Sequence, residues 1–157
     1  MLTNASAITP NSYIKMANRS YGGVGALNKD ELYDYFDITP LNKIKNGILW
    51  IQIKSKFSDL IIDVVVCYLP PHESTRTNDQ ELFFENLLQQ VCWYQNKRCT
   101  VICGDFNSRC GSNTDDMEGM DDLIPRSVMD RSENFNGDLF VEFLSDIKFA
   151  MLNGRVV

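Results

Sequence analysis

The ten residues from Leu60 to Leu69 contain a single charged side chain, Asp63. An apolar run of this length between turn residues reads as a central strand covered on both faces. Just before it, Gly47 to Lys54 offers a second strand, with Ile48, Leu49, Trp50, Ile51 and Ile53 apolar and Gln52 the one polar interior position. The short Lys54-Ser55-Lys56-Phe57-Ser58-Asp59 connection leaves room only for a turn, so the two strands are expected to pair antiparallel. Leu69-Pro70-Pro71-His72-Glu73-Ser74 stops the second strand, because proline cannot donate to a central ladder. His72 reads as an exposed loop residue.

A helix is predicted over Asn78 to Tyr94. Asn78 and Glu81 have capping-box spacing, and Phe84, Leu87, Leu88, Val91 and Cys92 recur at helical spacing on one face. Phe83, Phe84 and Trp93 read as core residues rather than as a platform for bases. Lys97-Arg98 suits the negative end of that helix. A β-branched run, Thr100-Val101-Ile102-Cys103, follows at once and reads as a buried strand closed by Gly104. The middle of the chain is therefore strand, strand, helix, strand.

The flanks are less regular. Residues 1 to 12 read as a loose lead-in and Ser12 to Ala17 as a short strand. The glycines of Tyr21-Gly22-Gly23-Val24-Gly25-Ala26-Leu27 mark a turn into a strand, since no Lys-Ser/Thr pair follows as a P-loop requires. Leu32 to Ile38 alternates as an edge strand would. Residues 111 to 136 read as a solvated loop; Asp115-Asp116 and Asp121-Asp122 lack the alternation of a calcium loop. Asn136 to Ile147 is a second amphipathic helix, with Leu139, Phe140, Phe143, Leu144 and Ile147 inward. Phe149 to Leu152 begins a further strand.

Chemistry concentrates at Gly104-Asp105-Phe106-Asn107. If the chain stays extended, Asp105 and Asn107 point the same way. The acid can bind a cation or take a proton, and the amide can donate to a phosphate oxygen. An Asx-type turn after the strand accounts for the same residues, and the sequence leaves both readings open. The net charge of −6 gives no sign of a basic nucleic-acid-binding surface. The five cysteines form no C-x-x-C pair and have only His72 beside them, so free thiols in a reducing, intracellular compartment are expected rather than a zinc site. No run is long and apolar enough to span a membrane. The first residues lack the pattern of a signal peptide, so Asn4-Ala5-Ser6 and Asn18-Arg19-Ser20 read as chance matches to the glycosylation pattern.

Gly22-Gly23-Val24-Gly25, Ile48-Leu49-Trp50-Ile51, Val65-Val66-Cys67-Tyr68-Leu69-Pro70-Pro71, Gly104-Asp105-Phe106-Asn107-Ser108-Arg109, Asn136-Gly137 and Leu152-Asn153-Gly154-Arg155 follow one another in this order. Together they resemble the endonuclease/exonuclease/phosphatase superfamily, and within it the endonuclease domain of LINE-type, non-LTR retrotransposons. The resemblance runs from about residue 20 to the end. It implies a four-layer α/β sandwich of the DNase I-like type, with residues 1–157 forming one partial domain of it. It also implies Mg²⁺-dependent hydrolysis of phosphodiesters, with DNA nicked to prime a downstream reverse-transcriptase domain, and action in the nucleus.

Carried over, Asp105 orients or deprotonates the attacking water and Asn107 hydrogen-bonds the phosphate. Tyr68 reaches a non-bridging oxygen, and Arg109 touches the nucleic-acid backbone. Asp105 and Asn107 are also the residues nearest a metal in this scheme. The family's metal-holding glutamate and its closing Ser-Asp-His stretch have no counterpart here, and His72 does not match the catalytic histidine. The expectation is a partial site, weak DNA binding, and little nicking by residues 1–157 alone. Two other readings are a phosphatase or abasic-site nuclease of the same superfamily, and a non-enzymatic fragment that binds protein partners through an exposed apolar edge.

Overall fold

A computed structural model describes residues 24–42, 46–74, 79–94, 99–113, 115 and 124–155. Ser12 to Ala17, the Gly22-Gly23 pair, Asn78, Lys97-Arg98 and Asp121-Asp122 lie outside the described residues. The chain divides into two compact units, Met1–Tyr68 with Lys97–Gly104, and Leu69–Asn96 with Asp105–Val157.

The first unit is built on a sheet. A short helix α1 (Leu32–Tyr35) leads into β1 (Phe36–Pro40), followed by β2 (Ile48–Ser55), β3 (Ile61–Tyr68) and β4 (Cys99–Asp105). The strands lie in the order β1-β2-β3-β4 in a mixed sheet. β2 and β3 pair antiparallel, as their short connection predicts, from Ile48 opposite Cys67 to Lys54 opposite Ile61. Ser55 holds that connection: its backbone N–H donates to the Leu60 carbonyl at 2.9 Å, and its Oγ accepts from the N–H groups of Phe57 and Ser58.

This register sorts the apolar side chains onto two faces. Leu49 and Ile51 share one face with Val66 and Tyr68, and Ile38 of β1 and Val24 complete that cluster. Trp50, Val65 and Cys67 are buried on the other face. Asp63 is buried there too and accepts a hydrogen bond from Gln52 Nε2 at 3.1 Å, directly across the ladder. A buried carboxylate is tolerated only when it is partnered in this way. β3 alternates between buried and half-buried residues, so one of its two faces is only partly covered.

Two expectations for this unit need correction. Leu32–Tyr35 is helical, and the edge strand begins only at Phe36. Helix and strand compete closely in so short a segment, and backbone bonds from Leu32 and Tyr33 to Lys29 and Asp30 favour the turn. The Thr100–Cys103 strand is largely exposed, with Val101 at 40%. It lies last in the strand order, and β-branched composition does not distinguish such a position from a central one.

The second unit pairs α2 (Gln80–Tyr94) with α3 (Phe135–Ile147). Asp79 precedes α2, and its Oδ1 accepts from the Leu82 N–H at 3.1 Å. Phe83, Phe84, Leu87 and Val91 form the buried stripe. Cys92 and Trp93 are exposed, Trp93 at 78%, contrary to their expected core role. At about 100° per residue they rotate off a stripe that passes from Val91 to Tyr94. On α3, Phe143, Leu144 and Ile147 are buried as predicted. The helix ends at Lys148, whose left-handed backbone donates to the Leu144 and Ser145 carbonyls.

Residues 149–152 form no strand. Their backbone finds side-chain partners instead of a ladder: the Met151 N–H donates to Asp115 and the Met151 carbonyl accepts from Arg155 Nε at 2.8 Å. The loop before α3 is likewise not simply solvated. Its Asp115 carboxylate is only 1% exposed, with Arg155 Nη2 at 3.0 Å and Arg126 Nε at 3.4 Å.

All five cysteines are free thiols. Burial pushes the Cys67 thiol strongly up, with Cys103 adding to it, and burial also raises Cys103 and Cys110. A raised pKa leaves less thiolate at neutral pH, so reaction slows. Labelling of the folded protein with a chromogenic disulfide at pH 7 is expected to modify Cys92 and Cys99 first and Cys103 more slowly. Cys67 and Cys110 should react only on unfolding. Mass spectrometry of the labelled peptides checks this order, and early labelling of Cys67 would contradict it.

Candidate functional site

Asp105 ends β4 and is exposed, and the residue after it, Phe106, is buried. Phe106 inserts among the aromatic rings of the two helices. Its centroid is 4.6 Å from Phe140 and 6.2 Å from Phe84, both in stacked geometry. That anchor fixes the backbone from which the two polar neighbours project.

The chain does not stay extended. Asn107 is left-handed, with φ +46°, a conformation asparagine tolerates better than most side chains. The Asn107 N–H donates to Asp105 Oδ1 at 2.9 Å, forming an Asx turn. The side-by-side extended arrangement is therefore replaced by a tighter one, in which the acid binds the backbone of the amide residue. Asn107 Nδ2 donates to the Leu69 carbonyl at 2.9 Å, and the Leu69 N–H donates to the Asp105 carbonyl at 2.9 Å. An amide carries two N–H donors and a carbonyl acceptor, so the Leu69 bond uses one of the two Asn107 side-chain donors.

The start of α3 holds the turn. Asn134 Nδ2 donates to the Asn107 carbonyl at 2.9 Å, while Asn134 Oδ1 accepts from the Arg109 N–H at 2.9 Å and the Gly137 N–H at 2.8 Å. Asn136 is fully buried and its Nδ2 donates to the Phe106 carbonyl at 3.2 Å and the Pro70 carbonyl at 3.4 Å. Ser108 Oγ donates to the Asn136 carbonyl at 2.9 Å. Gly137 permits this approach, because a Cβ there would lie 2.1 Å from the Arg109 carbonyl oxygen.

Arg109 is exposed and already has neighbours: Nη1 is 3.4 Å from Ser132 Oγ and Nε is 4.0 Å from Asp130. The Ser132 hydroxyl and N–H hold the Asp130 carboxyl below its usual range, with a smaller contribution from Arg109. A phosphate approaching Arg109 would compete with that carboxylate.

Asp105, Asn107 and Arg109 all lie in the second unit, Asp105 and Asn107 in one turn and the Arg109 side chain against Ser132 and Asp130. Tyr68 ends β3 in the first unit, half-buried, with its ring against the Val24, Ile38, Leu49 and Ile51 cluster. Asn134, Asp130 and Ser132 were not singled out from the sequence. Asn134 had a visible signal, as an asparagine immediately before an amphipathic helix.

The Mg²⁺ implied by the resemblance is not accommodated by these residues alone. Among the described residues no three His, Cys, Asp or Glu side chains lie close enough to hold a metal ion together. Asp105 and Asn107 supply two oxygen donors at most, where a hard cation needs several. The sequence matches no protein-family model and no curated protein.

Proposed function

We propose that this chain carries the phosphate-handling part of a metal-dependent phosphodiesterase, a retrotransposon-type endonuclease that nicks DNA. One observation carries the reading. An exposed carboxylate and an asparagine amide occupy a single turn that is anchored from three sides, by Leu69, Asn134 and Asn136. In-line displacement at phosphorus needs an aligned nucleophile and donors aimed at developing oxygen charge.

In this reading Asp105 accepts a hydrogen from the attacking water and orients it. The remaining Asn107 N–H donates to a non-bridging phosphate oxygen. Arg109 exchanges Asp130 for the nucleic-acid backbone. A divalent cation, when bound, neutralises phosphate charge, and it requires ligands beyond Asp105 and Asn107. The resemblance attributes the metal to a glutamate, and the steadying of the phosphate to a histidine, that no residue of this chain matches.

The test is plasmid nicking with Mg²⁺ and with chelator, by residues 1–157 and by a chain extended with the segments that bear those two residues. The extended chain should nick, and residues 1–157 should show little or no turnover. Asp105→Asn in the extended chain should slow nicking by roughly 100- to 1,000-fold, the usual effect of removing one well-placed electrostatic group. Unchanged nicking by that variant would remove Asp105 from the mechanism.

A further inference from the structure

Asn134 has two jobs that can be separated. Its Oδ1 caps α3 through the Gly137 N–H, and its Nδ2 reaches away from the helix to the Asn107 carbonyl. The cap is a common device of helix starts. The second bond is not needed by the helix at all. It fixes the carbonyl of the one left-handed residue in the turn, whose N–H is held by Asp105.

We infer that Asn134 is a positioning residue, which sets the backbone of Asn107 and thereby aims the Asn107 amide at a phosphate of a nucleic-acid backbone. The inference rests on the phosphodiester reading for its ligand and on the hydrogen bonds alone for its geometry. Peptide groups on either side of Asn107 are both tied, one to Asp105 and the other to Asn134. The side chain is tied a third time, to Leu69. Releasing the Asn134 bond loosens the left-handed backbone that carries the Asn107 side chain, and the amide, left with the Leu69 bond alone, is less well aimed at a bound phosphate.

Asn134→Asp separates the two jobs. Aspartate keeps an oxygen for the Gly137 and Arg109 N–H groups, and its charge is favourable at a helix N-terminus. It has no donor for the Asn107 carbonyl and places a second oxygen against it. In ¹⁵N-labelled residues 1–157, the variant is expected to melt close to the wild-type temperature. Its Asn107 backbone shifts and HN–Hα coupling should move away from their left-handed values. Titration with a short DNA duplex and Mg²⁺, followed at the Asn107 side-chain amide, should show affinity reduced roughly fivefold, the effect of one net hydrogen bond.

An unchanged Asn107 signature, or a changed one with undiminished duplex affinity, overturns the inference. If the wild type binds no duplex, the phosphodiester reading falls, and the Asn107 signature still decides whether Asn134 sets the turn. Should Asn134→Asp fail to fold, Asn134→Ser, which also caps a helix, carries the same measurement.

Discussion

Asp115→Ala is expected to destabilise the protein by about 3–5 kcal/mol, the usual cost of breaking a buried ion pair from one side. The carboxylate serves three donors: Arg126 Nε, Arg155 Nη2 and the Met151 N–H. The two guanidinium side chains are only 12% and 6% exposed, so water cannot replace what the acid supplies. Removing it leaves two cations facing each other in a setting of low dielectric. Each arginine keeps carbonyl partners, Arg126 at Asn113 and Arg155 at Met151 and Ile124. Those acceptors hold the side chains in place, and so hold the two positive charges together. Asp115→Asn keeps an acceptor and loses the charge, so it should cost less than Asp115→Ala. Urea unfolding followed by far-UV circular dichroism checks both. A loss below about 1 kcal/mol for Asp115→Ala would match an exposed pair and would contradict the buried geometry.

This cluster also shows what a sequence pattern leaves hidden. Asp115 lies in a stretch of Gly, Ser, Asn and Asp whose composition matches solvated loops, and its partners are 11 and 40 residues away, at Arg126 and Arg155. No local period links them. The strands and helices read more clearly, because burial imposes a period on consecutive residues. β2, β3 and both long helices fall close to their expected positions, and the short link between β2 and β3 fixes their antiparallel pairing. Periodicity fails at ends and edges. It gave no reason for α1, it assigned Trp93 to a stripe from which that residue rotates away, and it could not place β4 last in the sheet order.

The candidate site divides along the same line. Asp105 and Asn107 were legible, because a short apolar run ending in glycine, acid and amide is a local pattern. The left-handed backbone of Asn107 and the anchors of the turn were not. Asn134 and Asn136 reach the turn across 27 and 30 residues, a distance closed by the packing of α3 against the Phe106 ring. Of the two readings left open at Asp105 and Asn107, the Asx turn is present, with the acid on the Asn107 backbone N–H and the Asn107 side chain on the Leu69 carbonyl.

Gly104→Ala is expected to cost roughly 2–4 kcal/mol and to shift Asp105, combining a backbone penalty with a steric one. Gly104 has φ +142°, a region that L side chains rarely adopt. An added Cβ would stand 1.9 Å from the Cys67 carbonyl oxygen and 2.8 Å from the Cys67 carbonyl carbon and nitrogen. Those are backbone atoms of β3, the strand that lies between β2 and β4, so no rotamer change relieves the clash. Either β4 separates from β3 at this point or the chain rotates about Gly104, and each movement carries Asp105 with it. Two observations should therefore change together: a lower urea midpoint, and shifted Asp105 and Asn107 amide resonances in the folded protein. A variant with wild-type stability would show that β4 can detach from β3 at little cost. A destabilised variant whose Asp105 and Asn107 resonances stay in place would show that Leu69, Asn134 and Asn136 hold the turn without help from the strand that leads into it.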